Sequence, residues 1–376
     1  MQFKTNRRFP GLNQDNCKST RPRKAVLLAR AVFRISSALL LAWPGAALAQ
    51  LFQGRLMEAV LLTLLHEPNI AVANLQVELS QGQLQVVRGE LDTVIDAGVT
   101  TAQSRVLLRA ALQAPGRTQT NTAVERAARE NFHSTQFAYL DTVAARIAGS
   151  ANAYWDYLAA LRALEIRIRS EDRSQLLLDD ARLLVKGDEI PQADVLQNEA
   201  QLARDRGLRL AAEQTVVEVR SALAIAMGQP LADVTQLASP LDDFPDLQPD
   251  DVMRLPALPP PAGRFDLVAV KAGISVQRAR LSSAVLQLEQ QRRQVALQTQ
   301  VFANERKKYR LGLATVLDLL TVEARLTSDE LAVIDARRRL AQALVGYRFE
   351  TGTLLGADGD ARTIDLQSLT TLPEFP

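Results

Sequence analysis

Residues 150–186, 274–311 and 313–345 contain neither glycine nor proline, and residues 192–227 contain only Gly207. Glycine and proline cost about 1 and 3 kcal/mol in a helix interior, so runs free of them are free to be helical throughout. At about 1.5 Å per residue, each run gives a helix about 50 Å long, several times the length usual in globular proteins. Helices of that length belong to coiled coils or helical barrels, where each buries a narrow seam along its whole length. Aromatic residues make up only 5% of the chain, which suits helices packing through small and aliphatic side chains.

The long runs come in two copies. Shifting the chain by 124 residues places Asp194 on Asp318, Leu196 on Leu320, Glu199 on Glu323, Ala200 on Ala324, Leu202 on Leu326, Ala212 on Ala336 and Gly228 on Gly352. Each copy reads as a long helix, a short turn and a returning helix. The turns are Lys186-Gly187-Asp188-Glu189-Ile190-Pro191 and Arg310-Leu311-Gly312-Leu313-Ala314-Thr315. Gly187 and Gly312 are placed to cap the outgoing helices, and Gly228 and Gly352 to cap the returning ones. In the last run, Leu317, Leu320, Ala324, Leu331 and Ile334 follow a/d spacing, and a further stripe continues through Leu340, Leu344 and Tyr347.

Residues 229–263 hold eight prolines, including Pro259-Pro260-Pro261, and read as an extended crossover between the copies. Residues 91–100 are rich in β-branched residues and partly alternating, so they read as a strand. A turn at Ala114-Pro115-Gly116 and a returning strand over residues 118–124 would complete a pair.

Charge is divided unevenly. Residues 1–49 carry nine Lys/Arg against one acid, which leaves a net of −6 on the remainder of a chain whose formal charge is +2. The basic stretch ends at Arg34. A short apolar run to Trp43 and Ala46-Ala47-Leu48-Ala49 follow, the pattern of a secretory signal peptide cut before Gln50. The single cysteine, Cys17, lies within that segment, so the processed chain would have no thiol. A mildly acidic body has no electrostatic footprint for nucleic acid. His66 and His133 are isolated, and no zinc spacing, phosphate loop or nucleophile elbow occurs. No cofactor, metal or catalytic group is therefore expected. The acid pairs Glu171-Asp172 and Asp179-Asp180 read as solvated helix faces. Tyr154, Trp155 and Tyr157 sit inside a long helix and read as packing residues rather than a membrane-interface belt.

Several segments carry a resemblance to one family. Met57-Glu58-Ala59-Val60 with the His66-Glu67-Pro68-Asn69-Ile70 step is similar to its opening helix, and Ala153-Tyr154-Trp155-Asp156-Tyr157 to its second-helix signature. Gly187 to Leu202, with Asp194-Val195-Leu196-Gln197, is similar to its first hairpin turn, and Arg264-Phe265-Asp266-Leu267 to the start of its second repeat. Tyr309-Arg310-Leu311-Gly312-Leu313-Ala314 with Asp318-Leu319-Leu320 resembles its second turn, and Tyr347 to Leu355 its closing segment. The family is the outer membrane efflux proteins, the TolC-like exit ducts of export pumps and type I secretion systems, and the likeness spans most of residues 51–356. It implies a mainly α chain of duplicated long helical hairpins that form an α-barrel on trimerisation, with strands given to a shared membrane β-barrel. It implies a homotrimer in the outer membrane of a Gram-negative bacterium, with its helices in the periplasm. It further implies a periplasmic adaptor that docks near the turns and links to an inner-membrane pump. The domains expected are a signal peptide (1–49), a first repeat (50–228, strand pair about 91–124), a crossover (229–263), a shortened second repeat (264–356) and a C-terminal tail (357–376).

The sequence departs from the family where the second repeat should carry its own strand pair: Leu281 to Gln287 runs straight into Glu289-Gln290-Gln291-Arg292-Arg293 with no turn. A trimer would then offer six membrane strands rather than twelve, and a non-conducting periplasmic scaffold becomes the alternative to a channel. The resemblance assigns a periplasmic gate to Asp318 and Tyr309, although Thr321 stands at the second gate aspartate and Ala314 at the locking arginine. It assigns adaptor contact to Gly187, Leu311, Gly312 and Leu313. The residues themselves leave other roles open: Asp318 and Asp194 as carboxylates at helix N-termini, and the glycines as plain C-caps.

Overall fold

The computed structural model describes residues 52–90, 94–102, 105–113, 119–229, 237–253, 255, 267–355 and 369–373, all within the unit Leu51–Pro376. The expected signal peptide, much of the crossover and most of the C-terminal tail lie outside the described residues. The described residues open with α1 (Leu56–His66) and α2 (Pro68–Glu90). Pro68 disfavours helical geometry in the residue before it, so Glu67 is extended (φ −70°, ψ 116°) and the two helices meet at a 47° bend. No single described helix is long and apolar enough to cross a membrane.

The strand pair follows as β1 (Val94–Ala102) and β2 (Arg105–Gln113), antiparallel, in register from Ala102↔Arg105 to Val94↔Gln113. This corrects the expected returning strand. Residues 119–124 are helical, and the returning strand starts thirteen residues earlier than expected, at Arg105, only two residues after β1 ends. The expected hairpin turn at Ala114-Pro115-Gly116 lies outside the described residues, beyond the end of β2. Nine residues per strand is the length a tilted membrane strand needs.

Four long helices follow: α3 (Gln119–Lys186), α4 (Gln192–Ala226), α6 (Leu267–Arg310) and α7 (Val316–Thr351), with the short α5 (Pro249–Met253) between the second and third. With 68 residues, α3 extends about 100 Å. It packs on α4 along one side and on α7 along the other, and α7 packs on α6, so the helices stand in the order α4–α3–α7–α6. α6 is one unbroken helix of 44 residues, and a second strand pair is absent from it.

The duplication is repeated in the backbone. Asp188, Gly228, Gly312 and Gly352 have φ of 58°, 69°, 68° and 70°, forming two pairs separated by 124 residues. Each closes a helix with the same hydrogen bond back across the last turn: Glu189 to Leu184 O (3.0 Å), Gln229 to Ala224 O (2.9 Å), Leu313 to Lys308 O (2.9 Å) and Thr353 to Arg348 O (2.9 Å). The expectation that Gly187 caps the first outgoing helix is corrected. Gly187 keeps negative φ, and Asp188, the residue at the repeat position of Gly312, takes the left-handed conformation. Aspartate reaches that region more readily than most residues because its short side chain bonds locally.

The main core lies midway along α3. Tyr154, Trp155 and Tyr157 are buried there with α1, the end of α4 and residues 237–244, as packing residues should be. Trp155 stacks on Phe244 with centroids 5.8 Å apart. The Tyr154 hydroxyl donates to Gly54 O (2.9 Å) and approaches Asp242 Oδ2 (3.1 Å), tying the chain's opening segment to the crossover, and burial drives its pKa well up. On α7 the stripe Leu340, Leu344, Tyr347 is buried, while in the stripe before it Leu317 and Ala324 are exposed and Leu320, Leu331 and Ile334 are half-buried. The buried positions there are Val316, Leu319, Glu323 and Leu326. A helix with neighbours on two sides carries more than one seam, and a/d spacing alone does not say which one its own chain covers.

Candidate functional site

The sequence places its candidates at the two hairpin turns, and the structure brings these turns together. Asp180 of α3 receives Arg306 Nη2 at 3.0 Å and Arg310 Nη2 at 2.8 Å, both from the end of α6. Burial opposes ionisation of this carboxyl, but hydrogen bonds and charge from Arg310 and Arg306 outweigh it and hold its pKa below the usual range. Asp180 therefore locks one hairpin tip to the other. From the sequence alone Asp180 reads as a solvated acid; it differs from Asp179 only in which way it faces on α3, and the neighbouring helix decides that. Glu171 is similarly gripped by Arg206 and Arg209 of α4, at 3.1 and 2.7 Å.

Behind this clamp Tyr309 is 1% exposed, packed with Leu177, Val316 and Leu319, with Phe302, Ala314 and Ile190 around them. Burial raises its pKa, and the nearby carboxylates of Asp194 and Asp180 push the same way. Within one chain Tyr309 thus belongs to the core of the tip. Asp318 is exposed at the third position of α7. It closes a capping box with Thr315: Thr315 Oγ1 accepts from Asp318 N (3.2 Å), and Asp318 Oδ2 accepts from Thr315 N (3.2 Å) and Thr315 Oγ1 (2.6 Å). The Thr315 hydrogen bonds lower its pKa. Asp194 occupies the repeat position on α4, where the cap residue is Pro191 and offers no side-chain bond.

The two turns differ in surface. Leu311 and Leu313 flank Gly312 at 72% and 74% exposure, and Leu317 on the first turn of α7 is also exposed. Their repeat positions hold Gly187, Glu189 and Ala193. The second tip is therefore an exposed apolar knob and the first a polar one. An isolated exposed leucine needs no explanation, but three at one turn form a contact surface.

Higher along the array is a polar knot that the sequence did not signal. Glu323 of α7 accepts from Ser170 (2.9 Å), Arg173 Nε (3.1 Å) and Thr327 (2.8 Å), while Arg173 Nη2 also reaches Thr327 (2.6 Å) and Glu330 (3.1 Å). It joins the two hairpins across the α3–α7 seam. Among the described residues no three His, Cys, Asp or Glu side chains converge as metal ligands.

No family model matches the chain, and no curated protein does. Solved structures do. The outer membrane protein VceC from Vibrio cholerae superposes with a TM-score of 0.65 at 13% identity, covering 79% of this chain and 96% of that one. The CmeC outer membrane channel of Campylobacter jejuni gives 0.64 at 12% identity, over 83% and 90%. The MtrE outer membrane channel of Neisseria gonorrhoeae, in an open state, gives 0.53 at 15%, over 80% and 89%. Identity this low establishes shared architecture: the chain has the TolC-like fold of outer-membrane channel proteins.

Proposed function

We propose that this chain is a subunit of an outer-membrane export channel, a passive conduit serving a tripartite efflux pump or a type I secretion system. The observation that carries it is the array α4–α3–α7–α6, whose two outer helices, among the described residues, each pack along their length mainly on one long helix. Leu196, Leu210 and Val217 on α4, and Val276, Leu297 and Val301 on α6, are exposed apolar residues on those outer helices. Such edges are satisfied when α4 of one copy meets α6 of the next, a head-to-tail contact that closes into a ring; the resemblance makes that ring a trimer. β1 and β2 cannot close a barrel from one chain, and in lipid an open sheet leaves backbone groups unsatisfied. Pooling hairpins between copies removes that cost.

In this reading Asp318 supplies a ring of carboxylates at the periplasmic end, Tyr309 and the Asp180 clamp hold each tip rigid behind it, and Leu311, Gly312, Leu313 and the Gly187 turn receive the adaptor's hairpin tips. Trimers that migrate more slowly than the chain does after heat denaturation, recovered from outer-membrane fractions, are the expected result; a soluble periplasmic product sinks the channel. The second reading, a non-conducting periplasmic scaffold of the same fold, is favoured by the single strand pair. Planar-bilayer recordings separate the two: conductance from the purified trimer supports the channel, and silence supports the scaffold.

A further inference from the structure

α2 carries two apolar seams of the same period. Ile70, Ala73, Val77, Ser80, Leu84 and Val87 recur at alternating three- and four-residue steps and face α3, joined there by the Ser80–Thr135 hydrogen bond at 2.7 Å. Val72, Leu75, Leu79, Gly82, Val86 and Gly89 repeat the same steps two positions further on, and the four large members are more than half exposed. A helix with two heptad seams has two helical neighbours, and among the described residues its own chain supplies one.

The upper half of α3 carries a matching stripe. Ala127, Asn131, Ser134 and Ala138 are exposed at steps of four, three and four. Height along the pair is set within the chain by Ser80–Thr135 and Arg88–Glu125. Copies related by a ring axis stand at equal height, so Val86 meets Ala127, Gly82 meets Asn131, Leu79 meets Ser134 and Leu75 meets Ala138. Each large residue of α2 faces a small one on α3, and glycine faces the largest of the four, the alternation that well-packed seams use. The neighbouring stripe on α3, one position back, would set Arg126 against Val86, Glu130 against Gly82 and His133 against Leu79.

This contact continues an edge already described. α2 begins where α4 ends, with Thr63 Oγ1 3.4 Å from Ala226 O and Gly228 against His66. The outer seam of α2 therefore extends the α4 edge that the ring requires. Building on the channel reading, we propose that this seam is covered by α3 of a second copy, so that three α2–α3 pairs close a ring of six helices on the membrane side of the twelve-helix tip region.

Geometry favours six. Seams two positions apart on α2 are about 160° apart, and stripes one position apart on α3 about 100°. Their sum of about 260° is closer to the roughly 240° that two members of a six-helix ring need than to the roughly 300° of a twelve-helix ring. Six helices about 9.5 Å apart stand on a circle of about 9.5 Å radius, leaving a lumen radius of about 4 Å; twelve leave about 13 Å. The narrowest passage then lies at the membrane end and suits hydrated ions and small solutes, not bulky molecules.

The test is disulfide trapping of the full chain in a Cys17→Ser background. Leu79→Cys combined with Ser134→Cys is expected to convert most of the protein to covalent dimers and trimers on oxidation, reversed by reductant. Leu79→Cys with His133→Cys, at the same height but about 100° round the helix, is expected to stay monomeric on the denaturing gel. A parent protein that is trimeric by native mass, yet gives no Leu79–Ser134 product or traps the His133 pair instead, overturns the six-helix ring and leaves the channel reading standing. A monomeric parent overturns both.

Discussion

Gly228 and Gly312 have nearly the same backbone conformation and quite different surroundings, so alanine at each separates backbone strain from steric conflict. At Gly312 a Cβ would meet nothing within 4 Å. The cost of Gly312→Ala is then the left-handed penalty alone, about 1–2 kcal/mol, reduced by the smaller entropy of an unfolded alanine, about 0.4–1 kcal/mol. A net loss of about 1 kcal/mol is expected. At Gly228 the same Cβ would stand 2.6 Å from His66 O, 2.7 Å from His66 C and 2.9 Å from Glu67 N. Those are backbone atoms of the α1–α2 bend, so relief requires the bend to move, at a further cost of about 1–3 kcal/mol. Gly228→Ala should therefore cost about 3 kcal/mol. Urea unfolding followed by helical circular dichroism measures both, with the slope required to match the parent so that midpoints compare stability. Equal losses at the two positions would refute the steric argument, and no loss at Gly312 would refute the assigned left-handed cap.

The reciprocal change Asp188→Gly should raise stability by about 1 kcal/mol, because it removes the penalty from the one non-glycine cap; a decrease in the urea midpoint would show that the Asp188 side chain contributes more than its backbone costs. The Asp180 clamp predicts acid sensitivity at the tips: its folded pKa lies below the unfolded value, so its stabilisation is present above about pH 4 and is lost as pH falls through the folded value. Proteolysis at residues 186–191 and 310–315 should rise in that window, and Asp180→Asn should show the higher rate already at neutral pH. Leu311→Asp with Leu313→Asp should leave thermal stability within about 0.5 kcal/mol of the parent, as exposed substitutions do, while abolishing export in cells; full export would remove these residues from the adaptor contact.

The duplication was legible in the chain because it rests on local properties. Long stretches without Gly or Pro, turn residues at a fixed offset and terminal glycines specify helix lengths and caps within a few residues of themselves, and the 124-residue offset reappears in the backbone at Asp188/Gly312 and Gly228/Gly352. The unbroken α6 was legible for the same reason. The hairpin was placed less well, because residues 91–124 contain two adjacent possibilities for the return and a Pro-Gly pair marks a boundary without saying which elements it divides.

What tertiary structure alone decided is which side of each helix is covered. Glu199 and Glu323 are equivalent by sequence, yet the Glu323 side chain is 1% exposed inside the knot with Arg173, and that of Glu199 is 45% exposed beside Arg182. Asp179 and Asp180 adjoin in the chain, and only Asp180 lies between the two tips. Periodicity gives the spacing of a seam but not its partner. The partner follows from the order α4–α3–α7–α6, which puts α7 between two helices and leaves α4 at an edge, and that order depends on contacts between residues more than a hundred positions apart.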